Sequence, residues 1–303
     1  MKKPKVSIII LNWNQHDDTA ECLRSIRLID YGNYEVIVVD NGSEDGSEKR
    51  IKKEFPEIKL VKNNENLGFT GGNNRGIGLA MGKGADYVLL LNNDTIVKKD
   101  FLSRLVQAAE SDRNIGIVGP KIYYFDDPKK VWFTGGKIDW NRGKVSIVDE
   151  KKDSRMSEKG IVVDYVGGCA MLIKREVINK IGALDERFFI YFEETDMSIR
   201  IKKAGYKVVY LPLAQIWHKV SRKMGKESPS TLYYYTRNRP LFIRKNGTLH
   251  NKIVFYPYYI YEFVITPFVY QSVVKMDLKK AMAIAKGFYD FLTGNFGKAR
   301  WIL

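Results

Sequence analysis

Apolar positions in this chain fall into short unbroken runs, each closed by polar residues. Residues 6–11 are almost continuously aliphatic and β-branched, the mark of a strand buried on both faces. Residues 34–39, 58–61 and 87–91 repeat the pattern at strand length. Between them the spacing turns helical. One helix is capped by Asp17 or Asp18 and runs to about Leu28. A second spans 45–55 and stops at Pro56. A third follows Asn74 to about Met81, and a fourth covers 101–109. Strands alternating with helices predict an α/β fold with a mostly parallel, Rossmann-like sheet flanked by helices.

After Ile115 the rhythm changes. Residues 115–118, 121–125 and 131–138 read as strands or extended pieces, and 141–159 as a charged surface loop or flap. Short strands at 162–166 and 170–173 are split by Gly167 and Gly168. A helix over 193–204 ends at Gly205 as a C-cap glycine, and 208–211 is a further strand. Past Ser228 aromatic and basic residues take over. A helix over 232–245 carries Arg237, Arg239, Arg244 and Lys245. Residues 253–274 are apolar over about the length that crosses a bilayer, although Glu262, Pro257 and Pro267 argue against a simple straight span. Residues 278–303 read as an amphipathic helical tail. The chain thus divides into an α/β part, 1–227, and a helical aromatic and basic extension, 228–303.

The 303 residues are enough for one large domain or a domain with an appendage, and the net charge of +15 asks for an anionic partner. No compact nucleic-acid motif accompanies that charge, so nucleic acid is not the expected partner. Two distant cysteines, Cys22 and Cys169, fit a reducing compartment. The first residues carry no apolar signal segment, which points to the cytoplasm.

The ends of the strands carry the chemistry. Ligands of open α/β sheets bind beyond the carboxyl ends of strands. The run over 87–91 stops at Asn92, Asn93 and Asp94, and the one over 36–39 stops at Asp40, Asn41, Gly42 and Ser43. A carboxylate there can hold a hard divalent cation against a diphosphate. Alone, the first triplet reads as a polar turn; with its Asp40 counterpart it reads as a nucleotide-and-metal site. The stretch 63–76, rich in Asn and Gly around Phe69, is a candidate binding loop leading into a helix N-terminus. Gly76, Gly78 and Gly82 mimic a dinucleotide fingerprint but lie inside the expected helix with the wrong spacing. The aromatic run at 188–192 delivers Glu193, Glu194 and Asp196 to a helix start. Asp196 can pair with Arg200 four residues on, which leaves Glu193 and Glu194 as candidate general bases. His218 by itself is no more than a packed or solvated side chain.

Residues 6–14, 38–43, 66–74, 90–94, 167–171, 189–196 and His218, in that order, resemble the family 2 inverting glycosyltransferases of the GT-A fold. The likeness is to the rhamnosyltransferase-like branch. Two positions depart from the family pattern. Asn92 stands at the first acidic position of the Asp-any-Asp metal motif, and Glu193-Glu194 replaces the more common Glu-Asp. The resemblance implies that Asp40 meets the pyrimidine or its ribose. Leu11, Asn12, Asn14, Asn41, Asn66, Gly68, Phe69, Gly72, Asn73, Asn92 and Asn93 would border a nucleoside-diphosphate sugar, a UDP- or dTDP-sugar such as dTDP-rhamnose. Asp94 would bind Mg²⁺ or Mn²⁺, with His218 as a further metal or diphosphate ligand. Glu194 would be the base, with Glu193 second. The acceptor would be a saccharide, lipid-linked in many such proteins, in cell-surface glycan synthesis. The extension would then dock on the cytoplasmic leaflet, its Lys and Arg on anionic head groups. Sugar, linkage and oligomeric state are not legible.

Two rivals are weighed against this. A sugar-phosphate nucleotidyltransferase would bring a Gly-rich basic loop after the first strand, where this chain has Asn12 to His16. A non-catalytic nucleic-acid- or carbohydrate-binding protein would not need Asp94 and the acidic pair.

Overall fold

The computed structural model describes residues 3–148, 160–220 and 228–300. Strand β1 (Val6–Asn12) lies between β2 (Tyr34–Asp40) and β4 (Tyr87–Asn92), parallel to both, and β3 (Lys59–Lys62) continues the sheet beyond β2. The register sets Asn12 opposite Asp40 and Leu11 opposite Asn92. The polar residues that close each apolar run therefore reach one edge together. Side chains alternate between two cores. Ile8 and Ile10 join Leu23, Phe101 and Leu105 on one face, and Ile9 joins Ile77 and Ala80 on the other.

On the far side of β4, β11 (Ala170–Lys174) runs antiparallel, followed by β6 (Ile115–Tyr124), β12 (Lys207–His218) and the short edge strand β10 (Ile161–Val162). β6 and β12 run parallel to each other, so β11 is the one reversed strand between two parallel blocks. β5 (Thr95–Val97) pairs with the end of β12, β7 (Val131–Phe133) pairs with β6, and β8 (Gly136–Asp139) forms a separate hairpin with β9 (Lys144–Ile147). The two pieces expected at 115–118 and 121–125 are one strand. Pro120 is accommodated inside it because β12 bulges opposite, between Leu211 and Gln215. The expected flap at 141–159 contains β9, and its remainder from 149 lies outside the described residues.

Helices α1 (His16–Ile26), α2 (Ser47–Glu54), α3 (Gly68–Gly82), α4 (Phe101–Ser111), α5 (Arg175–Ile181) and α6 (Glu193–Lys203) flank the sheet. α3 starts seven residues before the sequence pattern suggests. Its glycines lower helix propensity, but they let the helix lie against β1. A Cβ on Gly76 would come 2.5 Å from Ile9 Cγ2, and one on Gly72 would collide with Leu11. Packing therefore overrides propensity here.

The extension comprises α7 (Pro229–Asn246), α8 (Leu249–Tyr259), α9 (Thr266–Val269) and α10 (Leu278–Thr293), with π-helical turns at Ile260–Ile265 and Tyr270–Val274. Ser228 caps α7 and a Thr248–Asn251 capping box opens α8. Residues 253–274 do not form one straight span, and among the described residues no helix is long and apolar enough to cross a membrane. Pro267 offers no N–H to the carbonyl four residues back, and the ladder widens to π register just before it. One side of this segment packs inward through Phe255 and Tyr259, both fully buried, while Ile253, Tyr261, Val273 and Val274 stay exposed.

Candidate active site

At the sheet's carboxyl edge the side chains first organise one another. Asn12 Nδ2 donates to Asp40 Oδ2 (2.8 Å) and Ser47 Oγ (2.9 Å), and its Oδ1 accepts from Thr19 Oγ1 (2.8 Å). The other Asp40 oxygen accepts from Ser43 N (3.0 Å). Asn12 and Asp40 have no exposed surface. Held this way from both oxygens, the Asp40 carboxylate shapes the loop that follows it. Asn14 takes a positive φ of 54° and ties that loop down, its N–H on Ser43 Oγ and its Oδ1 accepting from Glu44 N.

Asn41 is the corresponding knot of the Asn/Gly loop. Its Nδ2 donates to Asn66 Oδ1 (3.0 Å) and Gly68 O (3.1 Å), and its Oδ1 accepts from Asn63 Nδ2 and Leu67 N. Asn73 is buried too and donates to Phe69 O. The loop is thus rigid instead of open. Gly68, at φ +74°, lies where a Cβ would run into the ring and carbonyl of Phe189, and Thr70 N donates to that carbonyl (3.2 Å). The donor-side loop is thereby joined to the aromatic run that precedes Glu193.

Asp94 and His218 meet through strand pairing. β5 and β12 run antiparallel with Thr95 opposite His218, and Lys219 N donates to Asp94 O (2.9 Å). His218 Nε2 lies 3.1 Å from Asp94 Oδ1, and Trp132 packs edge-on against the imidazole. Burial pushes the Asp94 carboxyl up, but the adjacent imidazole outweighs it and holds the group below the usual carboxylate range. The ion pair to His218 is the only contact given for Asp94 Oδ1 among the described residues, and His218 Nδ1 is buried without a hydrogen-bond partner there. Asn93 braces the turn, donating to Gln15 Oε1 and Thr19 Oγ1, while Asn92 N bonds Cys169 O.

This pair fits a hard divalent cation. Two cis ligands at 2.0–2.1 Å from Mg²⁺ stand about 3 Å apart, close to the Asp94–His218 separation. Among the described residues no cluster of three His, Cys, Asp or Glu offers a complete cage. An ion held by two side chains keeps positions for phosphate oxygens.

Glu193 and Glu194 open α6 after a contorted turn. Phe189, Tyr191 and Phe192 take φ of 64°, 69° and 73°, a region that bulky residues occupy only when their surroundings force it. Glu193 is buried with Oε2 unpartnered, and its carboxyl is pushed well up by burial and then by Glu194. Glu194 is partly accessible, accepts from Thr195 Oγ1 (3.1 Å) and packs on Gly168; burial raises it as well. The buried Cys169 thiol lies between the two sites. Burial and then the Asp94 and Glu194 charges push it up, which keeps it protonated at neutral pH. Asp196 is structural, as its spacing suggests. It bonds Arg200 (2.9 Å), Lys245 (2.7 Å) and Asn246 (2.8 Å).

The turn is held from α7, by residues that sequence reasoning placed on a membrane surface. Asn238 Nδ2 donates to Phe188 O (2.8 Å), Ile190 O (2.8 Å) and Tyr191 O (3.1 Å). Arg237 reaches Arg187 O, Phe188 O and Gly297 O, and its Nε bonds Asn238 Oδ1. Both residues are fully buried. Arg237 and Lys245 are thus committed inside the protein, Arg239 is enclosed by aromatic rings, and Arg244 lies over Phe291 and Phe296. The pattern that could have found the clamp was an Arg-Asn pair in an otherwise aromatic helix.

The glycosyl transferase family 2 model matches residues 7–182. An N-acetylglucosaminyl-diphospho-decaprenol L-rhamnosyltransferase of Mycobacterium tuberculosis is 25% identical over 259 residues, 78% of this chain and 83% of that protein. The dTDP-rhamnosyl transferase RfbF of Shigella flexneri is 25% identical over 224 residues, 71% of this chain and 72% of its own. A crystal structure of GalNAc-T7 with UDP, GalNAc and Mn²⁺ superposes with a TM-score of 0.62 at 16% identity, covering 99% of this chain and 56% of that one. The fold is therefore GT-A, and the chain belongs to glycosyl transferase family 2.

Proposed function

We propose that this glycosyltransferase moves a sugar, with inversion, from a UDP- or dTDP-sugar to a hydroxyl of a saccharide carried on a lipid diphosphate. The observation that carries the proposal is the meeting of Asp94 with His218 at the sheet edge, with Glu194 on the far side of Cys169. The two relatives that handle rhamnose support dTDP-rhamnose as the donor, and the relative acting on a diphospho-decaprenol supports a lipid-linked acceptor. Glu194 takes the proton from the acceptor hydroxyl, and that oxygen attacks the anomeric carbon opposite the leaving nucleoside diphosphate. A bound Mg²⁺ or Mn²⁺ supplies charge neutralisation on the leaving phosphates. Asp94 and His218 would hold that ion. The knots around Asn12 and Asn41 fix the loops that border the donor, and the cost of ordering them is met on folding.

Thermal stabilisation by UDP, dTDP, GDP and NAD, each with and without Mn²⁺, tests the donor site. The matching nucleotide at about a hundredfold its Kd should add about 2.7 kcal/mol. That gain should need metal and vanish in Asp94→Ala. A metal-independent shift, or one retained by the variant, would remove Asp94 from the site. Product analysis separates the nucleotidyltransferase rival: nucleoside diphosphate release supports transfer, pyrophosphate release the rival.

The extension carries an exposed apolar surface that suits a membrane interface. Ile253, Tyr261, Val273, Val274 and Met276 are each 65–82% exposed, and Lys275 and Lys279 lie beside the last of them. These lysines, not Arg237 or Lys245, are the cations available to anionic head groups at the inner face of the cell membrane. The triple variant I253E/Y261E/V273E should lose sedimentation with anionic liposomes while keeping its nucleotide response. Undiminished sedimentation would exclude this surface as the anchor.

A further inference from the structure

Among the described residues Arg239 is a cation without a counter-ion. It lies one turn past Tyr235 on α7, and its Nε is buried with no hydrogen-bond partner. Its guanidinium is enclosed by rings instead: 3.6 Å from the centroid of Phe263, 5.9 Å from Phe192 and 6.0 Å from Tyr235. Cation–π attraction recovers about 0.5–2 kcal/mol and leaves the buried Nε without a hydrogen bond. Burial lowers its pKa to about 10, so it remains charged at neutral pH. Arg237, two residues earlier, is by contrast saturated with carbonyl partners.

The surroundings of Arg239 indicate what it awaits. Phe192 directly precedes Glu193, so one side of the box is the catalytic turn. Phe263 belongs to the helical segment whose residues Ile260, Tyr261 and Ile265 are 40–66% exposed, so another side is the apolar surface. Lys144, from the β8–β9 hairpin, stands 5.6 Å from the same Phe263 ring and 3.7 Å from Glu262. A lipid-linked saccharide has its anion at this junction, with sugar on one side and hydrocarbon on the other. A guanidinium fork meets phosphate oxygens two at a time.

We infer that Arg239, with Lys144 over the same Phe263 ring, is an acceptor-side anion subsite that takes the diphosphate joining the acceptor sugar to its lipid. It is separate from the donor diphosphate at Asp94 and His218, and it rests on the lipid-linked acceptor proposed above.

Farnesyl diphosphate, an anion with a short tail and no sugar, is the probe. Calorimetric titration would use the full chain with the donor site filled by saturating nucleotide and Mn²⁺. Arg239→Met should weaken binding by about 30-fold or more, the loss typical of removing one side of a desolvated charge pair. Arg239→Lys should fall between, and farnesol should bind wild type and R239M alike. R239M should unfold no lower than wild type, because the side chain it removes carries a buried Nε with no hydrogen-bond partner. Equal binding of farnesyl diphosphate by wild type and R239M overturns the subsite and leaves the lipid-linked acceptor standing. No binding to wild type, with the nucleotide response intact, overturns both. Inorganic pyrophosphate bound as tightly as the farnesyl ester would make the ligand a free anion and overturn the acceptor assignment.

Discussion

Replacing Glu194 by glutamine should lower sugar transfer by about 10²–10⁴-fold, the range a positioned general base contributes, while leaving nucleotide stabilisation unchanged. The two acidic residues at the start of α6 differ in access. Glu193 is 5% exposed with one oxygen facing no partner, whereas Glu194 is partly open beside Gly168. Glu193→Gln should therefore cost less, acting through the charge it places next to Glu194. Burial raises both carboxyls, which suits a base that must accept a proton near neutral pH. The working form is ionised, so kcat should fall as pH drops through the raised value, with its acid limb above the ordinary carboxylate range. Stability moves the other way. A carboxyl whose folded pKa exceeds its unfolded one helps folding fully below the unfolded value and loses that contribution as pH rises through the folded one. E194Q should therefore lose less stability than wild type between acid and neutral pH. Full transfer activity in E194Q together with loss in E193Q would exchange the two roles.

Much of this site is legible because its signals are local. The apolar runs that end at Asn12, Asp40 and Asn92 announce strands buried on both faces, and parallel pairing brings their ends to one edge. The first turns of α3 were less legible, since Gly71 and Gly72 read as loop until Leu11 is seen pressing on Gly72. The partners of Asp40 were illegible for a similar reason: Asn12 and the Ser43 backbone meet it only in three dimensions. His218 shows the reach of a resemblance. As a lone histidine it carried no signal, and only the β5–β12 register puts it against Asp94, 124 positions away. The basic residues of α7 misled because charge on a helix normally means a solvated face. Here backbone carbonyls of a turn some 50 positions earlier consume it, and no period within α7 encodes that demand.

Asn238→Asp should cut kcat by about tenfold to a hundredfold with little change in donor KM, the cost of misplacing a catalytic group by a fraction of its working tolerance. Phe189, Tyr191 and Phe192 sit at positive φ, each a conformation that costs of order 1–3 kcal/mol and persists only when over-determined. Asn238 supplies that determination. Its amide spans three carbonyls of the turn, and the Arg237 Nε fixes which way the amide faces. Aspartate keeps the size and loses both donors, setting a carboxylate against carbonyl oxygens. Asn238→Ala should also lose about 1–3 kcal/mol of stability from unpaired buried carbonyls, so folding is checked on both variants by thermal unfolding. Neither residue touches substrate in this arrangement; both are positioning residues. Their signature is therefore a shift in the pH profile. When the turn relaxes, Glu193 and Glu194 become better solvated, and the acid limb of kcat should move down toward the ordinary carboxylate range. Arg237→Lys, which keeps a charge but lacks the planar fork, should move it the same way. A folded N238D enzyme with wild-type kcat and an unmoved acid limb would reduce the clamp to a structural contact. A lowered kcat with a shifted limb would make the extension part of the catalytic apparatus, since its first helix then sets the protonation state of the base.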